Sequence, residues 1–181
     1  MLVFKTERLE IREMQARDLD YFIELLSAPE IINPIPQPKW NRIEILDRFA
    51  DFSNYSSDPL SKEKVIWGVY EGAEKELIGL CALLTNDEHQ REIGYRFRPK
   101  YWGLGYATEL THSLITHCFA RLGLSLVTAD VNVTNFASVK ILEKFFHPVR
   151  EFRNQRDNCT DRRYLLTVES WKSRQKLSES V

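Results

Sequence analysis

Between an alternating run, Arg91 to Arg98, and the longest helical pattern of the chain lies KYWGLGYATE, Lys100 to Glu109. Gly103 and Gly105 stand one residue apart there, which lets the backbone turn successive N–H groups towards a common point. The helix that follows adds free N–H donors and the positive end of its dipole, so the turn suits a pyrophosphate. Two other nucleotide loops do not fit. The phosphate loop G-x-x-x-x-G-K-[ST] is absent, and Thr108 stands where a dinucleotide fingerprint needs Gly or Ala. The strands before the turn also read as antiparallel rather than as part of a βαβ unit. The reading that needs no ligand is a plain strand-to-helix turn with glycine for geometry.

The segments around this turn set the fold class. Leu9 to Met14 alternates apolar and charged residues and reads as a strand with one buried face. Leu19, Phe22, Ile23 and Leu26 recur at helical spacing until Ala28-Pro29, where the residue before proline leaves the helical region. Ile31 to Lys39, with Pro34, Pro36 and Pro38, is expected to be loop, and Ile43, Leu46, Phe49 and Ala50 mark a second helix. Lys64 to Tyr70 and Glu76 to Leu84 read as a hairpin about EGAEK. Arg91 to Arg98 follows, with Glu92, Gly94 and Arg96 on one face and Ile93, Tyr95 and Phe97 on the other. After the turn, Tyr106 to Leu122 carries an apolar stripe through Leu110, Leu114 and Cys118, and Gly123 stops it. Leu124 to Val131 reads as a strand, Phe136 to Phe145 as a helix, and Val149 to Arg156 with Arg163 to Val168 as closing strands. The expected class is α/β (α+β): a mixed, mostly antiparallel, twisted sheet of about seven strands with helices on both faces. Residues 1–172 are expected to form a single domain and 173–181 a polar tail.

Composition narrows the partners. With 25 Lys+Arg against 26 Asp+Glu the formal net charge is -1, so no basic field invites nucleic acid. Cys81, Cys118 and Cys159 lie far apart in no C-x-x-C arrangement, which points to reduced thiols. His89, His112, His117 and His147 make no ligand set, because His112 and His117 diverge on their helix, and no metal is expected. Early charges argue against a signal peptide, and no apolar run reaches membrane-spanning length. A cytoplasmic monomer or homodimer that needs no membrane is the expectation.

The turn resembles the CoA-binding motif Q/R-x-x-G-x-G/A of the GNAT acetyltransferases, with Lys100 where Gln or Arg is usual and Gly103 and Gly105 matching. IGYRFRPKYWGLGYATE is similar to the IGYWL-x-P-x-x-W-G-x-G-Y-A-T-E block of the RimJ/RimL-like branch, which acetylates protein N-termini and a variety of small amines. The likeness extends to Thr6 to Met14 upstream and to NFASVKILEK downstream. It implies a GNAT fold in which the strands Arg91 to Arg98 and Leu124 to Val131 splay to admit acetyl-CoA as co-substrate. It further implies that Phe97, Lys100 and Gly103 border the cofactor, and that the backbone amides of Leu104, Gly105, Tyr106 and Ala107 hold its pyrophosphate. Asn135 would bond the pantetheine arm, Ser138 would lie near the thiol as the matching candidate for the catalytic proton donor to the departing thiolate, and Glu92, just before I-G-Y, would serve as general base for the attacking amine. The first two helices would form the acceptor wall.

Each assignment has a plainer counterpart. Asn135 is a good helix N-cap, Glu92 suits a solvated ion pair with Arg91 or Arg96, and Lys140 and Lys144 suit a charged helix face as well as a CoA phosphate. Trp40, Phe49, Phe52 and Tyr55 fit either an acceptor cleft or a core. Leu142 stands where many GNAT enzymes carry a Tyr acid, and Phe146-His147 replaces the usual G-F. The implied activity is acetyl transfer to a primary amine, of a protein N-terminus or a small molecule, without an acyl-enzyme. A non-catalytic CoA-binding module and transfer of another acyl group are the alternatives.

Overall fold

A computed structural model describes residues 1–33, 38–53, 58–72, 76–154 and 158–178. Pro34, Pro36, Tyr55, Arg156 and the tip of EGAEK lie outside them. Among the described residues eight strands form one sheet in the order β1-β2-β3-β4-β5-β6-β8-β7. They are β1 Leu2–Lys5, β2 Leu9–Arg12, β3 Lys64–Glu71, β4 Leu77–Thr85, β5 Arg91–Phe97, β6 Leu126–Asn132, β7 His147–Asn154 and β8 Cys159–Thr167. All neighbours pair antiparallel except β5 and β6. The strand beyond the expected seven is β1, four residues that alternate too briefly to be recognised but pair with β2 through Phe4↔Ile11 and Lys5↔Glu10. Phe4 then stacks on His117, 4.9 Å between ring centroids.

The helices are α1 Leu19–Ser27, α2 Pro29–Ile32, α3 Arg42–Ser53, α4 Tyr106–Ala120, α5 Phe136–Leu142 and α6 Val168–Ser178. Ala28 is extended (φ -65°, ψ 125°), so α1 stops before Pro29 as the steric rule requires, but Pro29 then opens the short α2. That turn, expected as loop, exists because it buries Ile31 beside Phe22 and Leu26. One face of the sheet carries α1 to α3 over Met14, Leu25, Ile45 and Leu80, and the other carries α4 over Val69, Ile78, Ile93 and Val127. Leu110, Leu114 and Cys118 of α4 are fully buried, each leucine contributing about 2 kcal/mol through removal from water.

Several boundaries differ from expectation: α4 ends at Ala120 rather than Leu122, β7 begins at His147 rather than Val149, and β8 at Cys159 rather than Arg163. α5 stops at Leu142 rather than Phe145, because Phe146 is drawn into the core and β7 starts at His147. The chain after Trp171 is helical to Ser178: Trp171 packs on His112 at 5.0 Å, and Arg174 donates to the carbonyls of Lys144 (3.0 Å) and Phe145 (2.8 Å).

Candidate active site

The site begins where the sheet changes direction. β5 and β6 are joined in register only at Glu92↔Thr128. Thr128 ties this closed end by donating its hydroxyl to the Arg91 carbonyl (3.2 Å) and accepting from Asn86 Nδ2 (3.1 Å). Beyond it the two strands diverge towards their C-terminal ends. Between them opens a cleft of about 1410 Å³, walled by Glu92 to Phe97 of β5, Ala129 to Asn132 of β6, Asn135 and Ser138 of α5, and the turn Gly103 to Thr108. Backbone groups facing such a gap need partners, and an extended amide-bearing arm can supply them.

The turn at the mouth has the conformation its glycines allow. Gly103 (φ +75°) and Gly105 (φ +82°, ψ -4°) are both left-handed, and Gly105 caps α4 without any side-chain cap. The first N–H groups of α4 therefore have neither an intrahelical acceptor nor a capping side chain, which fits a phosphate-bearing ligand. A latch not foreseen from sequence fixes this turn from behind. Glu109 accepts from the Arg8 backbone N–H (2.8 Å), from Arg8 Nε (2.7 Å) and from the Thr6 hydroxyl. Arg8 also donates to the Leu104 carbonyl (2.9 Å) and lies over the Tyr106 ring at 4.5 Å. Burial works against ionisation of Glu109, but Thr6 and Arg8 together hold its carboxyl below the usual range. The Tyr106 hydroxyl donates to Glu71, which pushes the phenol's pKa up, and its ring stacks on Phe97. The only sequence signal for this latch was the likeness of Thr6 to Met14 and of Ala107 to Glu109 to family blocks.

Of the residues expected to border the cofactor, Phe97, Gly103, Gly105, Tyr106, Ala107, Asn135 and Ser138 line the cleft. Leu104 presents its backbone in the turn and leaves its side chain half exposed. Lys100 is not on the cleft wall: its Nζ pairs with Glu76 at 2.5 Å, a contact that raises its pKa. Asn135 does cap α5, accepting from the Ser138 N–H at 3.3 Å. Lys144 lies past the end of α5 and reaches the Thr108 hydroxyl at 3.4 Å.

The opposite face of β5 looks towards α1 to α3. Phe22, Leu26, Ile31, Trp40 and Phe52 line it, whereas Phe49 is buried edge-on against Phe22 at 5.1 Å and belongs to the core. Glu92 is half-buried on this wall; Arg91 donates to the carbonyls of Leu60 and Lys62, and Arg96 to that of Leu25. Desolvation brings the Arg96 guanidinium down to about 10. Asp130, also on the wall, is engaged by Arg163 through bonds of 2.8 and 2.7 Å. Cys81 and Cys118 are buried, and desolvation pushes Cys118 up to about 12, so neither offers a thiolate. Among the described residues no cluster of three His, Cys, Asp or Glu could hold a metal ion, and no helix is long and apolar enough to cross a membrane.

Comparison with known proteins gives this geometry a lineage. The profile of the acetyltransferase (GNAT) domain matches residues 8–145. The uncharacterized N-acetyltransferase YoaA of Bacillus subtilis (strain 168) is 27% identical over 144 residues, 78% of this chain and 80% of that protein. The spermidine N-acetyltransferase from Vibrio cholerae, solved with CoA and spermine, superposes with TM-score 0.75 at 18% identity, covering 91% of this chain and 98% of that one. The ribosomal L7/L12 alpha-N-protein acetyltransferase RimL, solved with CoA, superposes with TM-score 0.75 at 14% identity, over 94% and 99% of the two chains. At these identities the two structures share the fold, and they do not single out one branch. A parallel-strand cleft with a glycine turn at its mouth, matched by that profile, defines an acetyl-CoA-dependent N-acetyltransferase. The chain belongs to the acetyltransferase (GNAT) family.

Proposed function

We propose that this enzyme acetylates a primary amine in the manner of the RimJ/RimL-like branch, the acceptor being a protein N-terminus or a small-molecule amine. The observation that carries the proposal is the cleft between β5 and β6: it joins the pyrophosphate turn to a wall on which Glu92 meets the aromatic lobe of α1 to α3. When bound, acetyl-CoA supplies an acetyl thioester. The backbone amides of Leu104, Gly105, Tyr106 and Ala107 hold its pyrophosphate, Phe97 borders the arm, and Asn135, which caps α5 through its side-chain oxygen, faces the arm from the cleft wall. Lys100, tied to Glu76, contributes only after releasing that partner.

Glu92 accepts the proton an ammonium must lose before its nitrogen can attack. A carboxylate suits this task because it is anionic near neutral pH and draws the cationic acceptor into the cleft. Ser138, half-buried on α5, faces the arm from the other side. Two named neighbours favour an amine acceptor in general: the V. cholerae protein is a spermidine N-acetyltransferase and RimL an alpha-N-protein acetyltransferase. A thiol-release assay with acetyl-CoA against ribosomal-protein N-terminal peptides, polyamines, amino acids and aminoglycosides tests the proposal. Acetyl-CoA-dependent thiol release with at least one amine is expected; none with any amine, despite CoA binding, would overturn it.

A further inference from the structure

The departing sulfur needs a donor, and α5 offers little. Leu142 is buried and apolar where a hydroxyl would have been useful, which leaves Ser138 on that wall. Across the cleft stands Tyr95, on the face of β5 that looks towards α4 and α5. Its hydroxyl is buried and lies beside the hydroxyls of Ser138 and Thr111, yet among the described residues it makes no well-formed hydrogen bond. Thr111 is already committed, donating to the Ala107 carbonyl at 2.7 Å. A buried phenol is normally paired, because leaving it unsatisfied costs the full desolvation of the group. Here the unsatisfied group lines the cleft rather than the core, so the missing partner is one that enters the cleft. Burial raises its pKa, which keeps the phenol neutral and its proton available for donation.

We infer that the Tyr95 hydroxyl is the hydrogen-bond donor to the sulfur of the co-substrate and stabilises the thiolate as it departs. The inference rests on the reading that the coenzyme A arm lies between β5 and β6. In the step, the free amine nitrogen forms a bond to the acetyl carbon and the carbon–sulfur bond breaks, its electron pair remaining on sulfur. The proton lost from nitrogen passes by way of Glu92 to solvent, and the thiolate is held by the Tyr95 O–H until it takes a proton from solvent on release. Among apolar neighbours such as Ala129, Ile141 and Leu142 a thiolate is poorly solvated, so a single aimed donor has a large effect there. A thioester sulfur is a weak acceptor, so the bond forms fully only as charge develops, which is the condition for raising kcat rather than tightening binding.

Tyr95→Phe removes this oxygen and keeps the ring. We expect kcat to fall about ten- to hundred-fold, the effect of losing a hydrogen bond to a charged group, with KM for acetyl-CoA nearly unchanged. The thiol of bound CoA, titrated through the ultraviolet absorbance of its thiolate, should ionise about one to two pH units higher in the variant than in wild type. Thermal stability without ligand should be equal to or above wild type, because an unsatisfied polar atom is removed. Loss of stability together with activity would make Tyr95 structural and overturn the inference, as would unchanged kcat and thiol ionisation. If CoA does not raise the melting temperature of the wild type, the cleft reading fails and takes this inference with it. A retained CoA shift with an unaltered Tyr95→Phe enzyme refutes the tyrosine alone.

Discussion

Replacing Gly105 by alanine separates backbone strain from ligand recognition, and the structure sets both magnitudes. At φ +82° a side chain is strained whatever the space, and the added Cβ meets only Arg8 Nη2 at 3.4 Å, an ordinary contact. The cost to the folded chain is therefore the left-handed penalty of about 1–2 kcal/mol. For a chain of this size that lowers the ligand-free melting temperature by about 2–8 °C. Gly123, at φ +67° with nothing near its Cβ position, provides the control: Gly123→Ala carries the same strain at the far end of α4. Only Gly105 lies on the turn proposed to hold the pyrophosphate. Alanine keeps the backbone N–H, but its Cβ holds the phosphate away from it, and loss of one such charge-assisted hydrogen bond weakens CoA by roughly 10- to 150-fold. At a CoA concentration about 100 times the wild-type Kd, the ligand stabilises wild type by about 2.7 kcal/mol, or about 5–11 °C. A hundred-fold weaker variant gains only about 0.4 kcal/mol, or about 1 °C, at the same concentration. Thermal melting with and without CoA reads both quantities. A Gly105→Ala protein that keeps the full ligand shift, or a Gly123→Ala protein that loses it, would move the pyrophosphate elsewhere.

Glu92→Gln keeps size and hydrogen bonding but not proton acceptance, so kcat should fall about 10²- to 10⁴-fold while CoA affinity holds, with partial recovery at high pH as solvent deprotonates the amine; wild-type kcat across the profile would reduce Glu92 to a structural acid. Tyr70 donates to the fully buried Asp18 at 2.6 Å, and Tyr70→Phe strips a partner from that carboxyl. Chemical denaturation should show a loss of about 1–3 kcal/mol, and a value near zero would mean that Asp18 finds another donor. Because the carboxyl of Glu109 is held below the ordinary glutamate value of 4.5, its contribution is present above that pH and disappears as pH falls through the depressed value. Acid unfolding followed by circular dichroism should therefore be shallower for Glu109→Gln than for wild type below about pH 4.5, and identical slopes would place the acid sensitivity elsewhere.

What the sequence determined by itself was local. Two glycines in Lys100 to Glu109 announced a tight turn of the backbone, and both adopt the left-handed φ that glycine permits, because φ is a property of the residue and its neighbours. The stripe through Leu110, Leu114 and Cys118 announced α4 for the same reason, its period arising from one short stretch of chain. Alternation along Arg91 to Arg98 placed Glu92 and Tyr95 on opposite faces, and the fold keeps them there. The tertiary structure decided the partners. Lys100 has a long flexible stem, and only packing brought Glu76 within its reach in place of a phosphate. The latch of Thr6 and Arg8 on Glu109 spans about a hundred residues of chain and has no local signature. β1 was invisible because four residues carry too little periodicity, and it exists because β2 offers it an edge. The cleft itself follows from one parallel pairing, Glu92↔Thr128, between strands separated by the whole of α4. Which hydroxyls meet there, Tyr95 beside Ser138, depends on how two helices settle on the sheet, a long-range balance of burial and hydrogen bonding that no short stretch of sequence records.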